Sequence, residues 1–369
     1  MNNRNYDLRQ SIYEPTQIMV MRHVNKTYHT SVGKFPALKN INISIESGKL
    51  VSVLGKSGSG KSTLINLMAG IDHPSSGEVI INGSDIHKMS EGKIAVWRGK
   101  NLGIVFQFFQ LLPTLSVLDN TMLPMDFCGT YRKTEREEIA RNLLRTLEIE
   151  DLSESFPNSI SAGHQQCAAI ARALANDPPI ILADEPTGNL DSKTGEMVIN
   201  IFKKLVSSGK TIIMVTHDRK LANQAQRILL LRDGILINES LTNAFLELNE
   251  IILAKMDSKS ETFEVNAGKS MFFSAKERSW FWILTRGAMT LSIEEKNIVT
   301  DALKTKLSAG DIIVNSDHVY KFTATEDCQI LSIPLPEIIS LSNIEIMQVE
   351  QVISRNLNTS GVNYATELA

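Results

Sequence analysis

The chain has 369 residues, 43% of them hydrophobic, and a formal net charge of −3. That length accommodates two or three domains with ample core, and the near-balanced charge offers no global basic field for nucleic acid. No apolar run reaches the roughly 18 residues of a membrane span; residues 1–17 lack the apolar stretch of a secretory signal; and Cys128, Cys167 and Cys328 form neither a disulfide framework nor a zinc site. A reducing cytosol is expected, and work at a membrane would need a separate membrane partner.

Residues 1–16 read as a loose tail. Residues 17–21 and 38–45 read as strands. Between them stands Lys26-Thr27-Tyr28. Tyr28 fits either a packing residue at a strand end or a platform for stacking a base. Leu50-Val51-Ser52-Val53-Leu54 is a short buried strand that runs into Gly55-Lys56-Ser57-Gly58-Ser59-Gly60-Lys61-Ser62-Thr63. That loop fits G-x-x-x-x-G-K-[ST], and residues 63–69 predict a helix ending at Gly70. Strand, loop and helix in this order form the context of a phosphate-binding loop. Glycines let the backbone turn its N–H groups inward around phosphate oxygens, and the helix start adds a favourable dipole. Lys61 can reach the β- and γ-phosphates, and the Ser62 hydroxyl can ligate Mg²⁺.

Residues 75–83 predict a turn and a hairpin strand. Residues 102–106 are another apolar strand, ending at Gln107, whose amide could ligate Mg²⁺, orient water or simply face solvent. Residues 134–148 predict an amphipathic helix with a capping box at Thr134 and Glu137. Ser161-Ala162-Gly163-His164 opens a helix running to Ala175, with Ser161 as N-cap. Its backbone N–H groups suit an anion, though any capped helix looks the same. Residues 180–183 are a strand ending in Asp184-Glu185. Asp184 would hold Mg²⁺ through water, and Glu185 could orient or deprotonate an attacking water. Asp191 reads as the N-cap of a helix over 192–208. Residues 211–215 form one more buried strand, followed by Thr216-His217. In an open parallel sheet, ligands bind at the carboxyl ends of the strands. The loop at 55–63, Gln107, Asp184, Glu185 and His217 therefore converge on one edge.

Taken together, these residues resemble the nucleotide-binding subunit of ABC transporters over about residues 18–239, in the family's order. Residues 102–115, Asp119-Asn120, Leu123-Pro124 and 184–191 look like the lipoprotein-release and macrolide-export branch. The resemblance implies ATP and Mg²⁺ as cofactors and a homodimer with two ATP molecules sandwiched between subunits. A separate membrane permease would sit above the pair and receive force through the segments between Gln107 and Ser161. It implies base stacking on Tyr28, phosphate contacts from Gly55, Ser57, Gly58, Ser59, Gly60, Lys61, Ser62 and Thr63, and metal contacts from Ser62, Gln107 and Asp184. Glu185, His217, Lys61 and Gln107 would carry catalysis. Ser161 and Gly163 would reach the ATP of the opposite chain, and Asp191 would communicate across the dimer. The family's helix start usually reads Leu-Ser-Gly-Gly-Gln; here it is Ile160-Ser161-Ala162-Gly163-His164, and Cys167 stands where arginine is common. Slower closure or turnover is the expected consequence, with ATP binding intact.

The expected fold is therefore an α/β P-loop ATPase over 17–240, with an ABC-type β-subdomain and a helical subdomain at about 108–176. A connecting helix at 241–256 and a linker to 262 should follow, then a β-rich barrel or jelly roll over 263–369 closed by a helix at 338–357. Its turns are similar in order to cyclic-nucleotide-binding domains. Between Asp311 and Phe322, however, the chain has no Glu, no Arg and no further Gly to hold a cyclic phosphate. A structural or docking module of unknown partner is expected instead, with Trp280-Phe281-Trp282 either in its core or on a docking surface. The functional expectation is an ATP-hydrolysing subunit, peripheral on the cytoplasmic face of the inner membrane, that energises export or extrusion. The alternative is a nucleotide-gated dimeric scaffold with weak hydrolysis. A soluble ATPase acting on ribosomes or DNA would carry paired cassettes or sustained heptads, and this chain has neither.

Overall fold

The computed structural model describes residues 17–31, 33–273, 280–295, 298–299, 305–314, 319–334, 345, 347–349 and 351–352. The chain divides into two compact units between Leu236 and Ile237, a few residues before the boundary expected at 240. The expected tail at 1–16 lies outside the described residues.

The first unit opens with a long antiparallel pair, β1 (Gln17–Thr30) and β2 (Gly33–Glu46). β1 thus runs well past the strand read at 17–21 and takes in Lys26 and Tyr28. Register shifts after Met21 and Val24 let the pairing continue through polar residues, so that Tyr28 still faces Phe35 across the ladder. β3 (Leu50–Leu54) is buried at every position and leads through the loop into α1 (Lys61–Met68). Next come β4 (Ser76–Ile81), β5 (Ser84–Asp85), α2 (Glu91–Asn101) and β6 (Leu102–Val105). The helices α3 (Val117–Cys128), α4 (Lys133–Thr146) and α5 (Ala162–Leu174) follow. The unit ends with β7 (Ile180–Asp184), α6 (Ser192–Ser207), β8 (Thr211–Thr216), α7 (Arg219–Ala222), β9 (Arg227–Arg232) and β10 (Ile235–Leu236).

Two sheets result, one ordered β2-β1-β4-β5 and one ordered β10-β9-β3-β8-β7-β6. In the second, all pairings among β9, β3, β8, β7 and β6 are parallel. Parallel strands covered on both faces read as unbroken apolar runs, and the side-chain alternation assigns each face its own core. Val51, Val53, Ile180, Leu182, Ile213 and Val215 pack with α1 and the first sheet. Leu50, Ile181, Ala183, Ile212 and Met214 pack with the helices on the other face. The cap of α4 differs from expectation. The Arg132 N–H donates to Glu135 at 3.1 Å, two residues earlier than the Thr134–Glu137 box, so Thr134 is already helical.

In the second unit, the single helix expected over 241–256 is two helices, α8 (Glu239–Ala244) and α9 (Glu250–Asp257). Phe245 turns fully inward between them. The Asn249 side chain then accepts the Ile251 N–H at 2.9 Å and starts a new helix. Nor are residues 257–261 a loose linker: the Asp257 carboxylate accepts the Asn238 N–H at 3.1 Å, and burial pushes its pKa up. Nine strands follow: β11 (Glu261–Val265), β12 (Ser270–Phe273), β13 (Trp280–Arg286), β14 (Ala288–Glu295), β15 (Ile298–Val299), β16 (Thr305–Ser308), β17 (Ile312–Val314), β18 (Val319–Ala324) and β19 (Cys328–Pro334). They form sheets ordered β11-β19-β13-β17 and β12-β18-β14-β15, with β16 also on β14. Trp282, Leu284, Leu291, Phe322 and Ile330 share one core. The side chains of Trp280 and Phe281 lie outside the described residues. Of the closing helix expected at 338–357, residues 345, 347–349 and 351–352 are helical, and the rest lies outside the described residues.

Candidate functional site

Strand register builds the site. Leu54 of β3 pairs with Thr216 of β8, Val215 with Asp184 of β7, and Ala183 with Val105 of β6. The residues that follow each strand therefore emerge together at one sheet edge. Gly55 starts the loop with its N–H on the Thr216 carbonyl at 3.3 Å. A Cβ at Gly55 would lie 2.3 Å from the Leu231 carbonyl oxygen, and one at Gly60, where φ is +105°, 2.7 Å from that of Ala37. Only glycine fits either place. Ser57 and Gly58 lie exposed at the mouth of the loop, and Ser59 is buried beneath it.

Lys61, the first residue of α1, is 8% exposed. Its ammonium donates to the Gly55 and Lys56 carbonyls at 2.7 and 2.9 Å and stands 3.9 Å from the Glu185 carboxylate. The other Glu185 oxygen is 2.9 Å from His217 Nδ1. Glu185 takes a left-handed backbone, φ +47°, with its N–H held by the Val215 carbonyl at 3.0 Å. That conformation is uncommon for a residue with a side chain and is retained here at the centre of a polar cluster. Burial and the neighbouring Glu185 raise the Asp184 pKa, against the opposing pull of Lys61 and of a hydrogen bond with Ser62. Asp184 thus lacks part of the positive charge its carboxylate calls for, and the adjoining donors are a hydroxyl and carboxylate oxygens. This oxygen set suits Mg²⁺, which commonly takes one or two carboxylates together with substrate phosphates. Among the described residues, no group of three or more His, Cys, Asp or Glu forms a metal cage; Mg²⁺ commonly completes its shell with water and substrate phosphates.

The other candidates fall in three places. Gln107 leaves β6 beside the segment that follows the acid pair: its amide nitrogen lies 3.5 Å from where a Gly188 Cβ would be, and its carbonyl accepts from the Asn189 amide at 2.8 Å. Ser161 caps α5 by accepting the His164 N–H at 3.3 Å. Asp191 caps α6, accepting the Lys193 and Thr194 N–H groups at 3.0 and 3.1 Å and the Thr194 hydroxyl at 2.6 Å. The Thr194 hydroxyl bond leads the causes that hold the Asp191 pKa low. Gly163 meets that same Thr194, whose methyl would lie 2.7 Å from an added Cβ. Within one chain, then, the starts of α5 and α6 face each other. Tyr28 hydrogen-bonds Asp72 at 2.8 Å.

Ala162 and His164 are exposed, whereas Cys167 is buried in the helical core. Burial, aided by Glu148, pushes its thiol pKa up to about 11, so it acts there as a small apolar residue. The supporting roles of two residues escaped the sequence reading, although Asn120 was already among the residues carrying the branch resemblance. Asn120, fully buried, accepts the Leu112 N–H at 2.8 Å and donates to the carbonyls of Leu112, Leu115 and Ser116. Arg172 donates to the Phe109 and Gln110 carbonyls at 2.7 and 2.5 Å; both acceptors have positive φ. The only signal for Arg172 was a basic residue within an otherwise apolar helix face.

Residues 38–188 match the family model described as "ABC transporter". An ATP-binding protein of Methanocaldococcus jannaschii, MJ0796, is 44% identical over 231 residues, spanning 61% of this chain and 97% of that protein. The chain belongs to the ATP-binding proteins of ABC transporters. It is the ATP-binding subunit of such a transporter, and an ATPase. The solved dimeric structure of MJ0796 aligns with 60% of this chain and 97% of its own, with a TM-score of 0.57 and 43% identity. A second structure of that cassette is a dimeric post-hydrolysis state bound to ADP and Pi. The macrolide export ATP-binding/permease protein MacB of Rhodopseudomonas palustris is 41% identical over 225 residues, which are 61% of this chain and 34% of MacB. Subunits of this family work with membrane permeases, and no described helix of this chain is long and apolar enough to cross a membrane.

Proposed function

We propose that this cassette is the Mg-ATP-driven motor of an export or extraction transporter of the lipoprotein-release and macrolide-export branch. It would act as a homodimer on the cytoplasmic face of the inner membrane, beneath a separate permease. The observation that carries the hydrolytic part is the Glu185 carboxylate, set between Lys61 and His217 at the mouth of the phosphate loop. Likeness to the ATP-binding part of MacB supports the branch.

In this reading the loop at 55–63 wraps the phosphates, and Lys61 exchanges its carbonyl contacts for β- and γ-phosphate oxygens. Ser62, Asp184 and Gln107 would hold Mg²⁺, which supplies charge neutralisation on the phosphates. Glu185 orients the attacking water and takes its proton. His217 holds the Glu185 carboxylate in place and faces the γ-phosphate. Tyr28 stacks on the base. In the dimer, Ser161 and Gly163 reach the partner's ATP, and Asp191 links the two halves. The facing of Gly163 and Thr194 supports their moving as one piece. The second unit is a small β-sandwich of jelly-roll type that serves as a docking module. Between Asp311 and Phe322 the chain lacks the arginine that usually pairs with a cyclic phosphate.

The test is steady-state ATP hydrolysis by the full chain beside Lys61→Ala and Glu185→Gln. Turnover above both variants is expected, and equal rates in all three would overturn the motor reading.

A further inference from the structure

The ring of Tyr28 is held by Lys26 and Asp72, which the motif does not include. Lys26 and Tyr28 are two apart on β1, on either side of an irregularity in its pairing with β2. The Lys26 ammonium lies 4.7 Å from the Tyr28 ring centroid and donates to Asp72 Oδ1 at 2.5 Å and to the His73 carbonyl at 2.7 Å. The Tyr28 hydroxyl donates to Asp72 Oδ2 at 2.8 Å. Asp72 is fixed in turn: it follows α1 directly, and the Ile71 and Asp72 N–H groups both bond the Asn66 carbonyl, at 2.9 and 3.2 Å. The Lys26 side chain is 12% exposed and that of Asp72 28%, so the pair is screened less than a surface ion pair. Burial would raise the Asp72 pKa, but the hydrogen bonds from Lys26, Tyr28 and the His73 N–H outweigh it and hold the carboxylate ionised.

We propose that Lys26 and Asp72 form a bracket that makes Tyr28 a rigid, one-faced platform for the nucleotide base, set in register with the phosphate loop. This rests on the reading of Tyr28 as the stacking residue. The ammonium covers one face of the ring, leaving the other for a base, and its pull on the ring's π density favours stacking against an electron-rich purine. The bracket also ties the ring to α1: Asp72 is held in the turn after its last residue, while Lys61 begins it. Base platform and phosphate ligands thus belong to one rigid piece. Without the bracket, Tyr28 would have to be immobilised when nucleotide binds, at the cost of ordering one mobile side chain. Lys26 and Asp72 act through Tyr28 and are positioning residues.

Tyr28→Phe keeps the ring and removes the hydroxyl link; Asp72→Ala removes the anchor. Both are compared with the unaltered full chain for binding of ATP and of magnesium tripolyphosphate, which has no base. Both variants are expected to bind ATP roughly three- to tenfold more weakly, the factor for re-freezing one side chain, and to bind tripolyphosphate within twofold of the unaltered chain. The steady-state signature is a raised KM with a much smaller change in kcat. Unchanged ATP affinity in Tyr28→Phe overturns the bracket, as does equal weakening for both ligands, which marks a general structural role. Because Tyr28→Phe leaves Lys26 and Asp72 paired, it guards against misfolding of Asp72→Ala. Tyr28→Ala separates the two levels: unaltered ATP affinity there means that Tyr28 is no platform at all.

Discussion

The parallel sheet of the first unit and the antiparallel sheets of the second use similar apolar strands, but they distribute polar residues differently. In the first, β3, β7 and β8 run the same way, so the residues after their carboxyl ends meet at one edge, and Lys61, Glu185 and His217 come within hydrogen-bond or ion-pair reach. In the second, neighbouring strands run oppositely. Their carboxyl ends fall at alternate edges, and the polar groups pair locally. Thr285 bonds the Gln329 carbonyl across one ladder at 3.0 Å, and Asp311 accepts the Ser308 N–H within one turn at 2.7 Å. Strand direction, more than composition, decides which unit assembles a reaction site.

The comparison is sharpened most by removing the base. Glu185→Gln should lower turnover by about 10²–10⁴-fold, the usual contribution of a positioned general base, with ATP still bound; single-turnover hydrolysis and equilibrium ATP binding measure the two halves. In the other region, Phe322→Ala empties a core position that is 1% exposed. It should cost the second unit about 3–5 kcal/mol and leave the ATP affinity of the first unit unchanged, as read by thermal unfolding beside nucleotide titration. A parallel loss of ATP affinity would break the division of labour drawn here.

Asp184→Asn gives a smaller effect with two signs. The native carboxyl has a raised pKa because it is buried beside Glu185. The folded state therefore binds its proton more tightly than the unfolded one, and the cost of the charge is full at neutral pH. That cost is relieved only as pH falls through the raised native value toward the ordinary one near 3.8. The amide should stabilise the nucleotide-free chain at neutral pH by roughly 2–4 °C, what about 1 kcal/mol amounts to at this size. It should also depress magnesium-dependent hydrolysis, and calorimetry with and without Mg-ATP separates the two effects. The smallest change expected is from Ala162→Gly with His164→Gln. Both residues are exposed at the start of α5, and restoring the family's usual pattern should raise permease-bound turnover a few-fold. An unchanged rate would remove these two positions as a brake.

Features set by neighbours in sequence were the legible ones. The loop at 55–63 declares itself because glycine spacing and the following Lys-Ser are local requirements, and Ser161 and Asp191 cap α5 and α6 as their side chains and positions imply. Local signals also misled. Thr134 and Glu137 satisfy the capping spacing, but the overlapping pair Arg132 and Glu135 lies where the chain actually enters the helix. The apolar spacing through 241–256 runs on past Phe245, whereas the first helix ends at Ala244 and Asn249 begins another by accepting the Ile251 N–H. The strand around Tyr28 was hidden by polar residues whose pairing depends on β2, and the anchor of its hydroxyl, Asp72, lies 44 positions away.

By itself the sequence determined the phosphate loop, the strand-ending acids and the family's order of motifs, because each depends on residue type at fixed short spacing. The tertiary structure decided that Glu185 stands between Lys61 and His217, that Gly163 faces Thr194, and that Lys26 and Asp72 grip Tyr28. Those contacts depend on the register between strands and on which helix end meets which turn, and long-range pairing leaves no periodic trace along the chain.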